Sequence, residues 1–377
     1  MKRVLFLKSA PGFPIQGADI SVFERLHLLK KWGWEGLFVS TGQDAHAASF
    51  LDILGKLGCR SELSSVDKII FFEHEDVPAQ LYLGPNTDQF VCKKPEDLFA
   101  LFEKAIDVFK PDALMANVRD VFALEFFARE RSLRKLMFLT EDEYPKNGQP
   151  GADVFAKNLA RIDSIVVATD YLKRSLSQEY GKNAEVLANA VAIELYTREQ
   201  SSERKFITMI HPYPHKGIEF FLELVAALSD RPFLVMAGTG QEYRAIKERL
   251  LSFPNLTLSP FTKQMAKIYS ASRIVLVPSL WEEGFSRVII EAFASGTPVI
   301  HSGRGGMRQT GGDAALVVPI EYDQHGRFQT ASWIDAIKRL DDESFYQERS
   351  TRALARVEEF VRERDLSLKR LAELLST

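Results

Sequence analysis

Two glutamates and a lysine carry most of the chemistry this sequence offers. Glu283 and Glu291 are separated by seven residues. Glu283 lies in a polar loop and is followed by Gly284, Phe285 and Ser286; Glu291 lies on the apolar segment beyond. Were both helical they would stand about 12 Å apart along the axis. That is too far for a paired acid–base dyad and close to the reach of a nucleotide with a sugar attached. The two carboxylates therefore read as separate hydroxyl-binding points, with the backbone amides near Gly284 to Ser286 between them for polar or anionic groups. Lys216, followed by Gly217, opens a second such place. A lysine at a helix start repels the helix dipole, which favours a bound anion over the alternative of a surface lysine.

The elements that position these groups follow from pattern. Ile274 to Val277 is a short β-branched apolar run and reads as a buried strand ended by Pro278. Ser286 is expected to cap a helix whose apolar face is Val288, Ile289, Ala292 and Phe293; Gly296 stops it, and Val299 begins the next strand. Phe206 to Ile210 is a strand leading to His211 and Lys216, and Phe233 to Ala237 is a strand ending at Gly238, where glycine permits a tight turn and close ligand approach. In the first half, strands are expected at Val4–Leu7, 36–40, 69–72, 136–139 and 162–168. Helices are expected at 96–109, at 128–135 with mixed charge, and from the Thr169 cap to Tyr180. Alternating strands and helices in two halves imply an α/β protein of two doubly wound domains, with the site in the cleft between them.

The stretch 274–306 resembles the retaining glycosyltransferases of family 4. The shared pattern is Pro278-Ser279, Glu283-Gly284-Phe285, Glu291, Gly296-Thr297-Pro298-Val299 and Gly305-Gly306, all at fixed spacings. The resemblance implies the GT-B fold, two doubly wound Rossmann-like domains facing across a cleft. Domain one would cover 1–190, joined by a C-terminal helix at about 360–377; 191–204 would be the linker, and 205–359 the nucleotide-sugar-binding domain. It also implies a retaining transfer from a UDP- or GDP-sugar to a hydroxyl group of a glycan, lipid or small molecule, in polysaccharide or glycoconjugate biosynthesis. On this pattern Glu291 holds ribose, Glu283 and the amides of Gly284, Phe285 and Ser286 hold the sugar, and Lys216 neutralises the diphosphate. His211 stands where the family usually has arginine, so an imidazolium facing the anion is weighed against a neutral histidine packed beside Pro212. Gly17 matches half of a Gly-Gly pair beside the sugar phosphate. A first-domain histidine of the family is absent; Arg119 and Asp120 are the replacement candidates, at even weight with a helix-start role for them.

Composition bounds the alternatives. The 377 residues suffice for two domains, and a net charge of −3 gives no bulk drive toward nucleic acid. Cys59 and Cys92 have no metal-ligand spacing and suit a reducing cytosol. The apolar run before Lys8 is too short for a signal peptide and no run is long enough to span a bilayer, so a cytoplasmic protein is expected. The charged helix at 128–135 is a solvated face or a contact with a membrane surface. The acidic loop 141–143 reads as surface. No cofactor and no metal are expected, because Asp-x-Asp occurs nowhere. A nucleotide-sugar epimerase of the same fold and a non-catalytic nucleotide-sugar-binding scaffold are the rival readings.

Overall fold

The computed structural model describes residues 1–15, 17–85, 94–118, 120–130, 132–197, 203–238 and 240–377. It divides into two compact units, Met1–Val191 with Glu363–Thr377, and Ala192–Arg362.

The first unit is built on nine strands among the described residues: β1 (Lys2–Lys8), β2 (Trp34–Gln43), β3 (Ser61–Ser64), β4 (Ile69–His74), β5 (Val77–Gly84), β6 (Ala113–Asn117), β7 (Arg134–Leu139), β8 (Ser164–Val167) and β9 (Glu185–Val186). Their order is β3-β4-β5-β2-β1-β6-β7-β8-β9, parallel except where β4 pairs with β3 and β5. Val4 to Leu7 are buried on both faces, as a central parallel strand requires. Helix Gly17–Leu29 lays Val22, Phe23, Leu26 and Leu29 on this sheet, with the Phe23 and Phe38 rings 4.8 Å apart.

One expectation is corrected here. No helix runs over 128–135: the helix is Val121–Arg129, and Arg134 and Lys135 already belong to β7. The charges are spent locally. Arg129 pairs with Glu125 and lies over the Phe99 ring, and buried Lys135 donates to the Glu130 carbonyl (2.9 Å). Asp120 takes the helix-start role: its Oδ1 accepts from the Ala123 amide (2.9 Å) and the Ser9 hydroxyl (2.5 Å), and its Oδ2 from the Ser9 amide (2.6 Å). Both oxygens are thereby committed in a buried site, where desolvation pushes the carboxyl up against the opposing pull of those bonds. Arg119 lies outside the described residues, as does Cys92. The loop 141–143 is held by a polar cluster, with Asp142 accepting from Lys146, Tyr171 and Ser175.

The second unit carries β10 (Phe206–Met209), β11 (Phe233–Met236), β12 (Leu256–Ser259), β13 (Ser272–Val277), β14 (Val299–His301) and β15 (Leu316–Val317). The order is β12-β11-β10-β13-β14-β15 and every pairing is parallel. Strand order reverses between β10 and β13. That is the topological switch point, where open α/β sheets bind ligands beyond the carboxyl ends of the strands. Of the segment 191–204, Ile193–Tyr196 forms a short 3-10 turn with Ile193 and Tyr196 buried, and 198–202 lie outside the described residues.

The last helix, Glu343–Leu374, begins in the second unit, where Tyr346 enters the core, and ends in the first. There Leu368, Leu371, Leu374 and Leu375 join the core, Ser367 accepts from the Ala188 amide (2.9 Å), and Arg370 pairs with Glu185 (2.6 Å). Among the described residues no helix is long and apolar enough to cross a membrane. Leu371 is 2% exposed. Leu371→Ala is expected to destabilise the first unit by about 2–5 kcal/mol. Chemical denaturation followed by tryptophan fluorescence and circular dichroism measures it, and a loss below about 1 kcal/mol would mean these turns are not core.

Candidate active site

Two loops meet at the switch point, 210–217 after β10 and 278–286 after β13. Their approach depends on Gly217, whose φ is +84°; a Cβ there would lie 1.9 Å from the Pro278 carbonyl oxygen. Only glycine tolerates both the left-handed backbone and the contact. The Leu280 amide donates to the His215 carbonyl (3.0 Å) and closes the junction. Lys216 and Glu283, 67 positions apart, are thus brought into an ion pair, Nζ to Oε1 at 2.8 Å. The same Oε1 accepts from the Ser279 hydroxyl at 2.5 Å. The Glu283 backbone is fixed from a third loop: its carbonyl accepts from the Gly306 amide (2.6 Å), and Gly305, with φ +58°, lies so close that a Cβ would be 2.3 Å from that carbonyl oxygen. Glu282 accepts from the Gly305 amide (2.6 Å) and pairs with Arg304.

Glu291 sits on helix Arg287–Ala294, 7% exposed. Its Oε1 accepts from Arg287 Nε (3.1 Å) and its Oε2 from the Tyr269 hydroxyl (2.7 Å). Arg287 also donates to the Tyr196 hydroxyl (3.1 Å). Burial, and then the neighbouring carboxylate, raise the Tyr269 hydroxyl well above its ordinary range, so it remains a donor at any working pH. A buried carboxylate needs such partners; here they also orient it.

His211 adopts φ +60°, a region in which histidine is more tolerated than most residues. Its ring, Tyr213 and His215 form a near-parallel row, with centroids 6.3 and 5.9 Å apart, and Trp281 continues it at 5.7 Å. Burial first, and then the Lys216 ammonium, push the His211 imidazole down to about 4. In the protein without an anion it is therefore neutral at neutral pH. The imidazolium reading needs an added negative charge.

The structure brings Lys216, Glu283 and His211 together, and it places Gly238 close to the aromatic row, where a Cβ would be 3.1 Å from the Tyr213 hydroxyl. Gly284 and Phe285 follow Glu283; the Phe285 ring packs on Phe360 (5.9 Å), which leaves its backbone as the ligand-side element. Ser286 occupies the N-cap position of its helix without a side-chain cap bond, contrary to expectation; its carbonyl accepts from the Ile289 amide instead. Gly17 and Asp120 belong to the first unit, where Gly17 starts a helix and its carbonyl accepts from the Ser21 hydroxyl (2.8 Å). Sequence reasoning named Ser279 only within the shared pattern and missed Tyr269, Tyr196 and Arg287 as site-shaping residues. Of these three only Arg287 left a signal, its four-residue spacing from Glu291 on one helix face. Among the described residues no group of three His, Cys, Asp or Glu side chains converges as a metal site.

Residues 205–341 match the family model described as glycosyl transferases group 1. All of this chain superposes on all of Anabaena HepE solved with UDP-glucose, at TM-score 0.72 and 15% identity. That likeness bears on the fold, which is GT-B: two Rossmann-like domains. The O-antigen chain mannosyltransferase RfbU of Salmonella typhimurium is 23% identical over 197 residues, 49% of this chain and 52% of that protein. The exopolysaccharide phosphotransferase SCO2592 of Streptomyces coelicolor is 26% identical over 192 residues, 48% of this chain and 20% of that protein. The chain thus spans about half, or a fifth, of the length of these curated relatives.

Two outcomes follow for the second unit. Gly217→Ala is expected to open the junction: the Lys216–Glu283 pair is lost and stability falls by several kcal/mol, of the order seen for strain at a special backbone position. Thermal melts and a crystal structure check this, and an unshifted melting temperature would show that the approach is not tight. Acidification is the second test. His211, half-buried, and His301, buried, are both pushed down to about 4 by desolvation and take up protons more readily unfolded than folded. Their contribution is complete above the unfolded value of about 6.5 and is lost as pH falls through about 4. Denaturation midpoints measured between pH 7 and 4.5 should fall, and fall less for His211→Asn, which keeps a left-handed backbone without titrating.

Proposed function

We propose that the protein is a retaining, metal-independent glycosyltransferase of family 4. It moves a sugar from a UDP- or GDP-sugar to a hydroxyl acceptor in polysaccharide or glycoconjugate biosynthesis. The observation that carries the reading is the Lys216 ammonium held beside the Glu283 carboxylate at the switch point. A cation for a leaving diphosphate and a carboxylate for sugar hydroxyls stand there within one ion-pair distance. HepE, with the same fold, was solved with UDP-glucose, and RfbU is named a mannosyltransferase.

On this reading Glu291 accepts the ribose hydroxyls. Arg287 and the Tyr269 hydroxyl donate to its two oxygens and orient it. As the bond from the anomeric carbon to the diphosphate breaks, charge grows on the leaving oxygen. Lys216 and the amides near Gly284 to Ser286 stabilise it without a metal. The acceptor hydroxyl attacks from the same face and passes its proton to the leaving phosphate. The products are a glycoside with retained configuration and a nucleoside diphosphate.

Glu291→Ala is expected to weaken UDP or GDP, and the matching nucleotide sugar, alike, by about 1.5–3 kcal/mol. Calorimetry reads this, and unchanged affinity in a folded variant removes the ribose role. Slow hydrolysis of UDP- or GDP-sugars should release nucleoside diphosphate in the presence of EDTA. Release of nucleoside monophosphate would mean phosphotransfer, an altered sugar without release would mean epimerisation, and no reaction with any donor and acceptor would leave a binding protein.

A further inference from the structure

We infer that Glu283 is the resident counter-ion of Lys216, and that this pair makes the site prefer an intact nucleotide sugar over the nucleoside diphosphate left after transfer. The inference rests on the donor reading above.

The geometry makes the two partners unequal. Glu283 is anchored: its carbonyl accepts from the Gly306 amide, Gly305 abuts its backbone, and Ser279 donates to its Oε1. Lys216 is the movable partner, with its side chain 26% exposed against 10% for Glu283. Its ammonium lies 5.9 Å from the Trp281 ring centroid, an apolar flank along which a four-carbon stem can swing. An incoming diphosphate competes with Glu283 for Lys216. The other charged and titratable groups acting on this spot are His211, His215 and Arg287. His211 is held neutral by burial and by Lys216, and Arg287 is engaged by Glu291 and Tyr196. Lys216 is thus the cation over which the two anions contend.

The two ligands differ in what they give back. A nucleotide sugar takes Lys216 with its diphosphate and returns hydroxyl donors to Glu283. A nucleoside diphosphate takes Lys216 and returns nothing. Glu283 is then left with Ser279 alone, poorly hydrated and beside a polyanion, which is costly. The product therefore binds against a penalty that the donor escapes, and Lys216 returns to Glu283 as the diphosphate leaves. No bond is made or broken in this exchange.

The test is calorimetric titration of the full chain at low salt with UDP, GDP, UDP-glucose and GDP-mannose. Wild type, Glu283→Gln and Ser279→Ala are compared, with folding checked by thermal melts. Glu283→Gln removes the competitor: the free diphosphate should tighten roughly two- to fivefold, the worth of a partly exposed ion pair, while the nucleotide sugar weakens. Ser279→Ala deprives Glu283 of its last partner, so the free diphosphate should weaken more than the nucleotide sugar does. The ratio of donor to product affinity thus moves in opposite directions in the two variants. Mere structural damage would weaken both ligands together and leave the ratio unchanged, and that result overturns the inference. If Glu283→Gln does not fold, the Ser279→Ala ratio decides by itself. If wild type binds none of the four ligands, the donor reading falls, and the inference with it; if it binds them and the ratios stay at the wild-type value, only the inference falls.

Discussion

The close approach of two loop backbones at the switch point of the second sheet is the constraint on which the site depends. Gly217 presses against the Pro278 carbonyl, and the His215 carbonyl accepts from the Leu280 amide. Both contacts are between main chains, so they are insensitive to most side-chain changes and sharply sensitive to one added methyl group. Everything chemical in the loops is carried outward from this junction. Lys216 emerges one residue before the glycine, and Ser279 and Glu283 emerge just after the proline. The parallel pairing of β10 with β13 delivers both loops to the same end of the sheet, and the reversal of strand order keeps that end clear of a crossover.

Charge is handled differently in the two units. Asp120 and Asp19 of the first are consumed by structure: Asp120 by a helix start and Ser9, Asp19 by Lys8 at 2.6 Å and the Phe13 amide. In the second unit Glu291 is equally buried and accepts from Arg287 on its own helix and from the Tyr269 hydroxyl. Glu283 has a single oxygen engaged by Lys216 and Ser279. A carboxylate fully satisfied by protein is part of the fold; one partly satisfied, at the carboxyl end of a parallel strand, is available to a ligand.

The long final helix shows how the same economy extends to packing. Its first turns fill the core of the second unit through Tyr346, and its last turns bury three leucines in the first, joined by Leu375 just beyond. Arg364 donates to the Val191 carbonyl (2.8 Å), and Arg370 to Glu185, so charged residues on this helix close polar ends of the first unit while the leucines seal its sheet.

Much of this was legible in the residues alone. Short apolar, β-branched runs mark the strands of the second unit because burial on both faces favours apolar residues there. The spacing of Glu283, Glu291, Gly296 and the Gly305-Gly306 turn carried the resemblance that the match over 205–341 shares, because a loop, an eight-residue helix and a tight turn each have a fixed length. Thr169 announced its helix by a local cap bond. What the tertiary structure decided was everything that depends on a distant partner. The sequence placed a helix over 128–135 because its charges looked solvated, whereas Lys135 is buried at the start of a strand with the Glu130 carbonyl for company. It left Asp120 between two roles, and Ser9, 111 positions away, settled which groups occupy it. It left His211 between an imidazolium and a neutral packed ring, and desolvation beside Lys216 makes it neutral. Periodicity and caps are properties of neighbours along the chain and can be read from it; desolvation, ion pairing and the protonation that follows are properties of neighbours in space, which only the folded chain supplies.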